Sequence, residues 1–188
     1  MENYNFSPGE KLSLIRVVMS EKMNNIVIRD AIRDEWPGAL AIHRRAIHEL
    51  AAPYYSASVL AAWAPPIAEQ DMPRYLGEFD QKLSSGFIVL VAYVNNTLAG
   101  FGEIVPLRNE LLAVYVNPDF ARQGVGTAIL TELEHRAHSL KLPFLQMVAS
   151  LAAVPFYLHH GYLSLGEDVH TLKSGEKMDC VRMKKTMT

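Results

Sequence analysis

The passage with the clearest chemical capacity runs from Leu112 to Leu133, where an apolar stretch turns through Arg122-Gln123-Gly124-Val125-Gly126-Thr127 into a helical repeat. A strand entering a helix this way leaves the first backbone N–H groups of the helix without internal acceptors, at the positive end of its dipole. Such a junction is suited to an anion, a pyrophosphate in particular. Gly124 and Gly126 permit close approach, Arg122 can pair with phosphate oxygens, and the Thr127 hydroxyl adds a donor. The same glycine pair also suits a plain strand-to-helix turn, so the loop alone leaves both readings open. Two common phosphate motifs are excluded. No Lys-Ser/Thr pair follows the glycines as an ATP-binding loop requires, and Ile129 stands where a dinucleotide fingerprint needs its third glycine.

Other reactive types are scattered. Pro53, Tyr54, Tyr55 and Trp63 form a dense aromatic group, readable as core or as a binding wall. His43 with His48 and His135 with His138 are helical pairs without further ligands, read as solvated, and no histidine has a cysteine partner at zinc spacing, so no metal is expected. The only cysteine, Cys180, reads as a small buried hydrophobe.

These residues need elements to position them. An apolar strand pattern over 26 to 29 precedes three amphipathic segments. The first is capped by Asp34, with Pro37 in its first turn and Leu40, Ile47 and Leu50 on its apolar face. The second opens at Ser56 or Ser58 and ends before Pro65. The third starts at Asp71 and repeats Met72, Tyr75, Leu76, Phe79 and Leu83. β-rich runs over 87 to 94 and 98 to 105 flank Asn95-Asn96-Thr97, a hairpin turn, and a further strand covers 111 to 116. The glycine loop then feeds a long helix with Leu130, Leu133, Ala137 and Leu140 on one face. A strand over 144 to 149, a short helix ended by Gly161, and two antiparallel runs over 162 to 171 and 178 to 184 complete the order. This predicts an α/β (α+β) domain with a mixed central sheet of about seven strands, flanked by four or five helices. Residues 1 to 22 read as an N-terminal extension to a domain over 23 to 188.

Composition narrows the partners. The 188 residues are 49% hydrophobic and 20% charged, enough for one core without disulfides, and the net charge of −2 comes without a polybasic block. Nucleic acid and membrane surfaces are therefore not expected partners, and a single cysteine suits a reducing, cytoplasmic setting. Dimers being the commonest assembly in general, a homodimer is the expected form of any oligomer.

The chain from Ile26 to Lys184 resembles the GNAT superfamily of N-acetyltransferases. Leu111-Leu112-Ala113-Val114-Tyr115-Val116-Asn117-Pro118 looks like the family's fourth strand, and Arg122 to Thr127 looks like its pyrophosphate loop. The segment Ser150-Leu151-Ala152-Ala153-Val154-Pro155-Phe156-Tyr157, ending in His160-Gly161-Tyr162, is similar to the one beside the acetyl-CoA thiol. Cys180-Val181-Arg182-Met183-Lys184 looks like the last strand. Two positions depart from the pattern: Ala121 replaces a Gln or Arg of the loop, and Ala152 replaces an Asn that often follows the Ser-Leu pair.

The resemblance implies acetyl transfer from acetyl-CoA, as acyl donor, to a primary amine of a small molecule or peptide. It implies cofactor contacts from Val114, Tyr115, Val116, Arg122, Gln123, Gly124, Val125, Gly126, Thr127, Ala152, Phe156 and Tyr157. Tyr157 matches the acid that protonates the leaving thiolate. Glu110, fourteen residues before Gly124, matches a position used for the general base, and Glu103 is the second choice. Backbone N–H groups near Tyr115 and Val116 are expected at the thioester oxygen if the strand bulges. Tyr54, Tyr55, Trp63 and His170 are expected to border the acceptor. Transfer of a longer acyl group, or a non-catalytic acyl-CoA sensor or interaction module using residues 1 to 22 as a docking arm, remains the alternative.

Overall fold

A computed structural model describes residues 25 to 187, so the N-terminal extension expected over 1 to 22 lies outside the described residues. The chain orders its elements as β1 (Ile26–Asp30), α1 (Trp36–Leu50), α2 (Ala57–Trp63), α3 (Met72–Ser84), β2 (Ile88–Val94), β3 (Thr97–Val105) and β4 (Glu110–Val116). There follow α4 (Val125–Ser139), β5 (Phe144–Ser150), α5 (Val154–His159), β6 (Leu163–Thr171) and β7 (Lys177–Thr186). The strands form one mixed sheet in the order β1-β2-β3-β4-β5-β7-β6, antiparallel except for β4 beside β5. The expected α/β architecture is therefore present, with seven strands and five α-helices among the described residues.

Alternation along the strands divides the core between the two sheet faces. Leu90, Ala92, Ala99 and Ile104 face Val125, Ile129, Leu130 and Leu133 of α4, whereas Val89, Val91 and Phe101 face Trp36, Ala39 and Ile42 of α1 and Phe79 of α3. Gly100 and Gly102 let α4 settle close to β3: a Cβ at Gly102 would stand 2.5 Å from the Ile129 side chain. The hairpin between β2 and β3 turns on Asn95 and Asn96, both with positive φ, as a two-residue turn of the primed type requires. Gly161, at φ 83°, follows the end of α5 as expected.

The entry to α1 differs from expectation. Asp34 is not its cap; a 3-10 turn over Arg33–Glu35 precedes the helix, and the Glu35 carboxylate accepts the Ile32 N–H at 2.9 Å. Because Glu35 also binds Arg29 and the Tyr93 hydroxyl, it ties the helix start to β1 and β2. Ser56 does cap α2, accepting the Val59 N–H. No helix among the described residues is long and apolar enough to cross a membrane.

Candidate active site

The site begins where two parallel strands part. β4 and β5 pair at a single register position, Glu110 with Gln146, and then diverge toward Val116 and Ser150. Backbone alternation shows which β4 groups this frees. Asn117 N–H donates to Ala99 O at 2.8 Å, so Tyr115 N–H, two residues back, also turns toward β3, and the N–H groups of Val114 and Val116 turn toward the gap. The donors into the gap are thus Val114 and Val116, not Tyr115. The one irregularity of β4 lies lower, at Leu112, where the register with β3 shifts between Glu103 and Ile104.

A cavity of about 770 Å³ opens along this gap, within the range of small-molecule sites. At one end Arg122 and Gly124 adopt positive φ, 62° and 85°, which turns the chain directly into α4 without a side-chain cap. Arg122, Gly124, Gly126 and Thr127 line this end, and the first-turn N–H groups of α4 have no carbonyl within the helix to bind. Gly126 keeps the passage open: a Cβ there would stand 3.4 Å from both Phe156 and Val116. His160, missed in the sequence, closes the far side. Its Nδ1 lies 2.8 Å from Phe156 O and its Nε2 3.1 Å from Thr127 Oγ1. A carbonyl can only accept, so Nδ1 carries a proton toward Phe156 O, and Nε2 meets the Thr127 hydroxyl.

Tyr157 projects from α5 beside Ser150, Ala152 and Phe156, and all four line the cavity. The Tyr157 ring packs edge-on to Phe156 and Tyr162, at centroid distances of 5.1 and 5.5 Å. Burial pushes its hydroxyl well above the usual phenol range, so at neutral pH it holds its proton. Another wall is apolar, made by Ala46, Ile47 and Leu50 of α1 with Ala51, Tyr54 and Trp63. Tyr54 and Trp63 are expected site residues, whereas the sequence pattern hid Ile47 and Leu50, which read as one helix's core stripe.

Several expected site residues lie elsewhere. Glu110 is four residues back from Val114, roughly 13 Å along the strand, and holds Arg108 at 2.7 Å. Glu103 is 3% exposed and bound to Lys82, whose ammonium also lies over the Trp36 ring. Neither carboxylate lines the cavity. Gln123 donates its side-chain amide to Asp119 O, and Val125 packs into the core at 1% exposure. Tyr55 serves the backbone: its hydroxyl donates to Asp179 O at 2.8 Å and accepts Leu151 N–H at 2.7 Å. His170 stands exposed on β6, outside the cavity lining. His43 corrects the expectation of a solvated histidine, since its ring packs edge-on to Tyr115 at 4.6 Å. Burial, with Lys82 nearby, pulls its imidazole down to about 4. Cys180 is buried, as read from the sequence.

Comparison with known proteins agrees with this geometry. Residues 51–187 match the family model described as the acetyltransferase (GNAT) domain. The chain is 30% identical over 140 residues to the uncharacterized N-acetyltransferase YafP of Escherichia coli (strain K12), covering 74% of this chain and 83% of that protein. Among solved structures, a GCN5-related N-acetyltransferase from Rhodopseudomonas palustris superposes with a TM-score of 0.74 at 25% identity, covering 85% of this chain and 94% of that one. The PaiA N-acetyltransferase of Thermoplasma acidophilum, solved with coenzyme A, superposes at 0.62 with 20% identity, covering 86% and 99%. A phosphinothricin acetyltransferase from Sinorhizobium meliloti, solved with acetyl-CoA, does so at 0.65 with 20% identity, covering 86% and 88%. A family-model match over most of the chain, joined to a diverging β4–β5 pair that opens onto the glycine loop, makes this protein a member of the GNAT acetyltransferase family.

Proposed function

We propose that the chain transfers an acetyl group from acetyl-CoA to a primary amine of a small molecule or peptide, with donor and acceptor held together in the β4–β5 cavity. One observation carries the reading: the turned-out N–H groups of β4, the uncapped start of α4 and the protonated Tyr157 hydroxyl meet in that cavity. The residues present fit the donor. Arg122, Gly124, Gly126 and Thr127 offer a guanidinium, free backbone donors and a hydroxyl to a pyrophosphate, and Val114, Val116, Ala152 and Phe156 offer walls and strand-edge donors to an amide-bearing arm.

When bound, acetyl-CoA supplies an activated acetyl group: the amine nitrogen bonds to the carbonyl carbon as the carbon–sulfur bond breaks, and of the two protons lost by an ammonium acceptor one ends on the thiol and one in solvent. The Val114 and Val116 N–H groups supply fixed donors for charge that develops on the carbonyl oxygen. Tyr157 holds its proton at the phenolic oxygen and provides it to the departing sulfur. Glu110 faces the same side of the sheet as Tyr115, through the pairings Glu110–Val105 and Tyr115–Phe101, and takes the amine proton through water. Tyr54 and Trp63 border the acceptor, while Tyr55 holds the backbone behind it. A cytoplasmic setting belongs to the same proposal.

Thermal stability with excess acetyl-CoA, and with ATP and NAD as controls, tests the reading. A ligand that binds only the folded state at 100 times its Kd adds about 2.7 kcal/mol. A selective rise with acetyl-CoA is expected; no rise with acetyl-CoA or longer acyl-CoAs overturns the proposal. The lack of a carboxylate among the described lining residues favours one second reading, an acyl-CoA-binding module without turnover, which the same rise without amine-dependent thiol release would identify.

A further inference from the structure

We propose that the acceptor is a monoamine with an apolar aromatic or branched body and no second positive charge, not a polyamine or an aminoglycoside. This deepens the acetyltransferase reading above and rests on it.

On one side of the cavity Ala46, Ile47, Leu50, Tyr54 and Trp63 form an apolar wall. Leu50 and Tyr54 are 42% and 48% exposed at its mouth, large apolar surface left in water with no packing role to account for it. No Asp or Glu is among the described lining residues. The basic side chains that do line the cavity lie beside the loop: Arg122 within it, and His160, bonded to Thr127, with its neighbour His159.

Carboxylates on the elements that frame the cavity are engaged: Glu49 on α1 and Asp119 after β4 both hold Arg45, at 2.9 and 2.8 Å, Glu103 on β3 holds Lys82, and Glu110 on β4 holds Arg108. A second ammonium drawn against this wall would lose water without gaining a counter-charge, which is the situation that excludes a polycation. An apolar body instead buries surface against Ile47 and Leu50, and an aromatic one adds ring contacts with Trp63 and Tyr54. The same surroundings disfavour the charged form of the reacting amine, so more of it stands ready as the neutral nucleophile even though no carboxylate touches it.

The test measures thiol release with saturating acetyl-CoA across phenethylamine, tryptamine and isoamylamine on one side and spermidine and kanamycin on the other. Titration calorimetry of the same amines into the protein loaded with CoA gives a readout independent of turnover. We expect kcat/KM for the apolar monoamines to exceed that for the polycations by at least roughly 100-fold, with the same order in affinity. Leu50→Glu places a carboxylate at the mouth, and its expected effect is to raise spermidine turnover about tenfold while lowering that of phenethylamine. Spermidine or kanamycin matching phenethylamine in the unaltered protein overturns the acceptor proposal alone. CoA binding without thiol release from any amine overturns the acetyltransferase reading as well, in favour of an acyl-CoA-binding module. Failure to bind CoA at all overturns the acetyltransferase reading beneath it, and the calorimetry separates that outcome from the others.

Discussion

Tyr157 shows how burial suits a side chain to the acid role proposed for it. Its phenol is enclosed by Phe156, Tyr162 and the strand ends, so ionisation is disfavoured and a proton is held where a thiolate would need it. Tyr157→Phe keeps the ring contacts and removes the proton; it is expected to bind acetyl-CoA as before and to lose turnover by roughly 100-fold, within the range of a general acid. Calorimetry beside steady-state rates checks this, and an equal loss in affinity would make the hydroxyl a binding group. Glu110→Gln separates the two carboxylates. Glu110 is held by an Arg108 that is itself exposed, so the pair opens readily, whereas Glu103 is locked beneath α3 by Lys82. Glu110→Gln should lower kcat most at low pH and leave CoA affinity intact, and a pH–rate profile superimposing on that of the unaltered protein would remove Glu110 from the mechanism. Lys82→Met should act on stability instead. It leaves the Glu103 carboxylate buried without its partner, a loss of about 3–5 kcal/mol visible in denaturant unfolding.

At the scale of elements, the glycine loop and α4 act as a unit whose opening is kept by a missing side chain. Gly126→Val would fill the passage between Phe156 and Val116, where an added Cβ would stand 3.4 Å from each and two further methyl groups would project into the cavity or its wall. The φ of Gly126 is not in the left-handed region, so the backbone tolerates valine there, and the expected result is a loss of CoA affinity of more than tenfold with only a small change in Tm. A fall in both together would mean that the loop's packing, and not its passage, depends on glycine. This loop was legible in the sequence because turn chemistry is local: Gly124, Gly126 and the apolar face of α4 lie within a few turns of one another. The helices and strands were legible for the same reason, through their periods of 3.6 and 2. What was not legible joins distant segments. Tyr55 meets Leu151 across 96 positions, Glu103 finds Lys82 across 21, and His43 finds Tyr115 only because α1 crosses β4. No local pattern marks such partners. The apolar wall of Ile47 and Leu50 was hidden differently, since a helix stripe looks the same whether it faces core or cavity.

For the whole molecule, the cleft raises a question of cohesion, because a sheet that parts between β4 and β5 has a single register pair at the junction. Three features span the break. α4 packs on strands from both sides, Val59 of α2 packs on Leu172 and Met178 beside the β6–β7 hairpin, and the Tyr55 hydroxyl joins the end of β5 to β7 from the loop before α2. The apolar wall of the cavity and the far half of the sheet are therefore held by the same segment. His43 adds a pH dependence to this packing. Its imidazole is neutral in the folded chain down to about pH 4 but protonates near pH 6.5 when unfolded, so the unfolded state binds the extra proton between those values. Its contribution is present above pH 6.5 and is lost as pH falls toward 4, amounting to about 2 kcal/mol by pH 5. His43→Phe keeps an edge-on ring against Tyr115 and removes the titration, so its unfolding free energy should fall less between pH 7 and pH 5 than that of the unaltered protein. Parallel slopes would place the acid sensitivity in the carboxylate pairs instead. Tyr55→Phe tests the cohesion directly. It leaves Leu151 N–H and Asp179 O without their shared partner, which should cost about 1–3 kcal/mol. Because the loss falls at the cleft, hydrogen exchange at Leu151 should quicken well beyond that at the core of β3. Uniform quickening across the sheet would mean that the two halves open only with global unfolding, and that the cleft is braced by α4 alone.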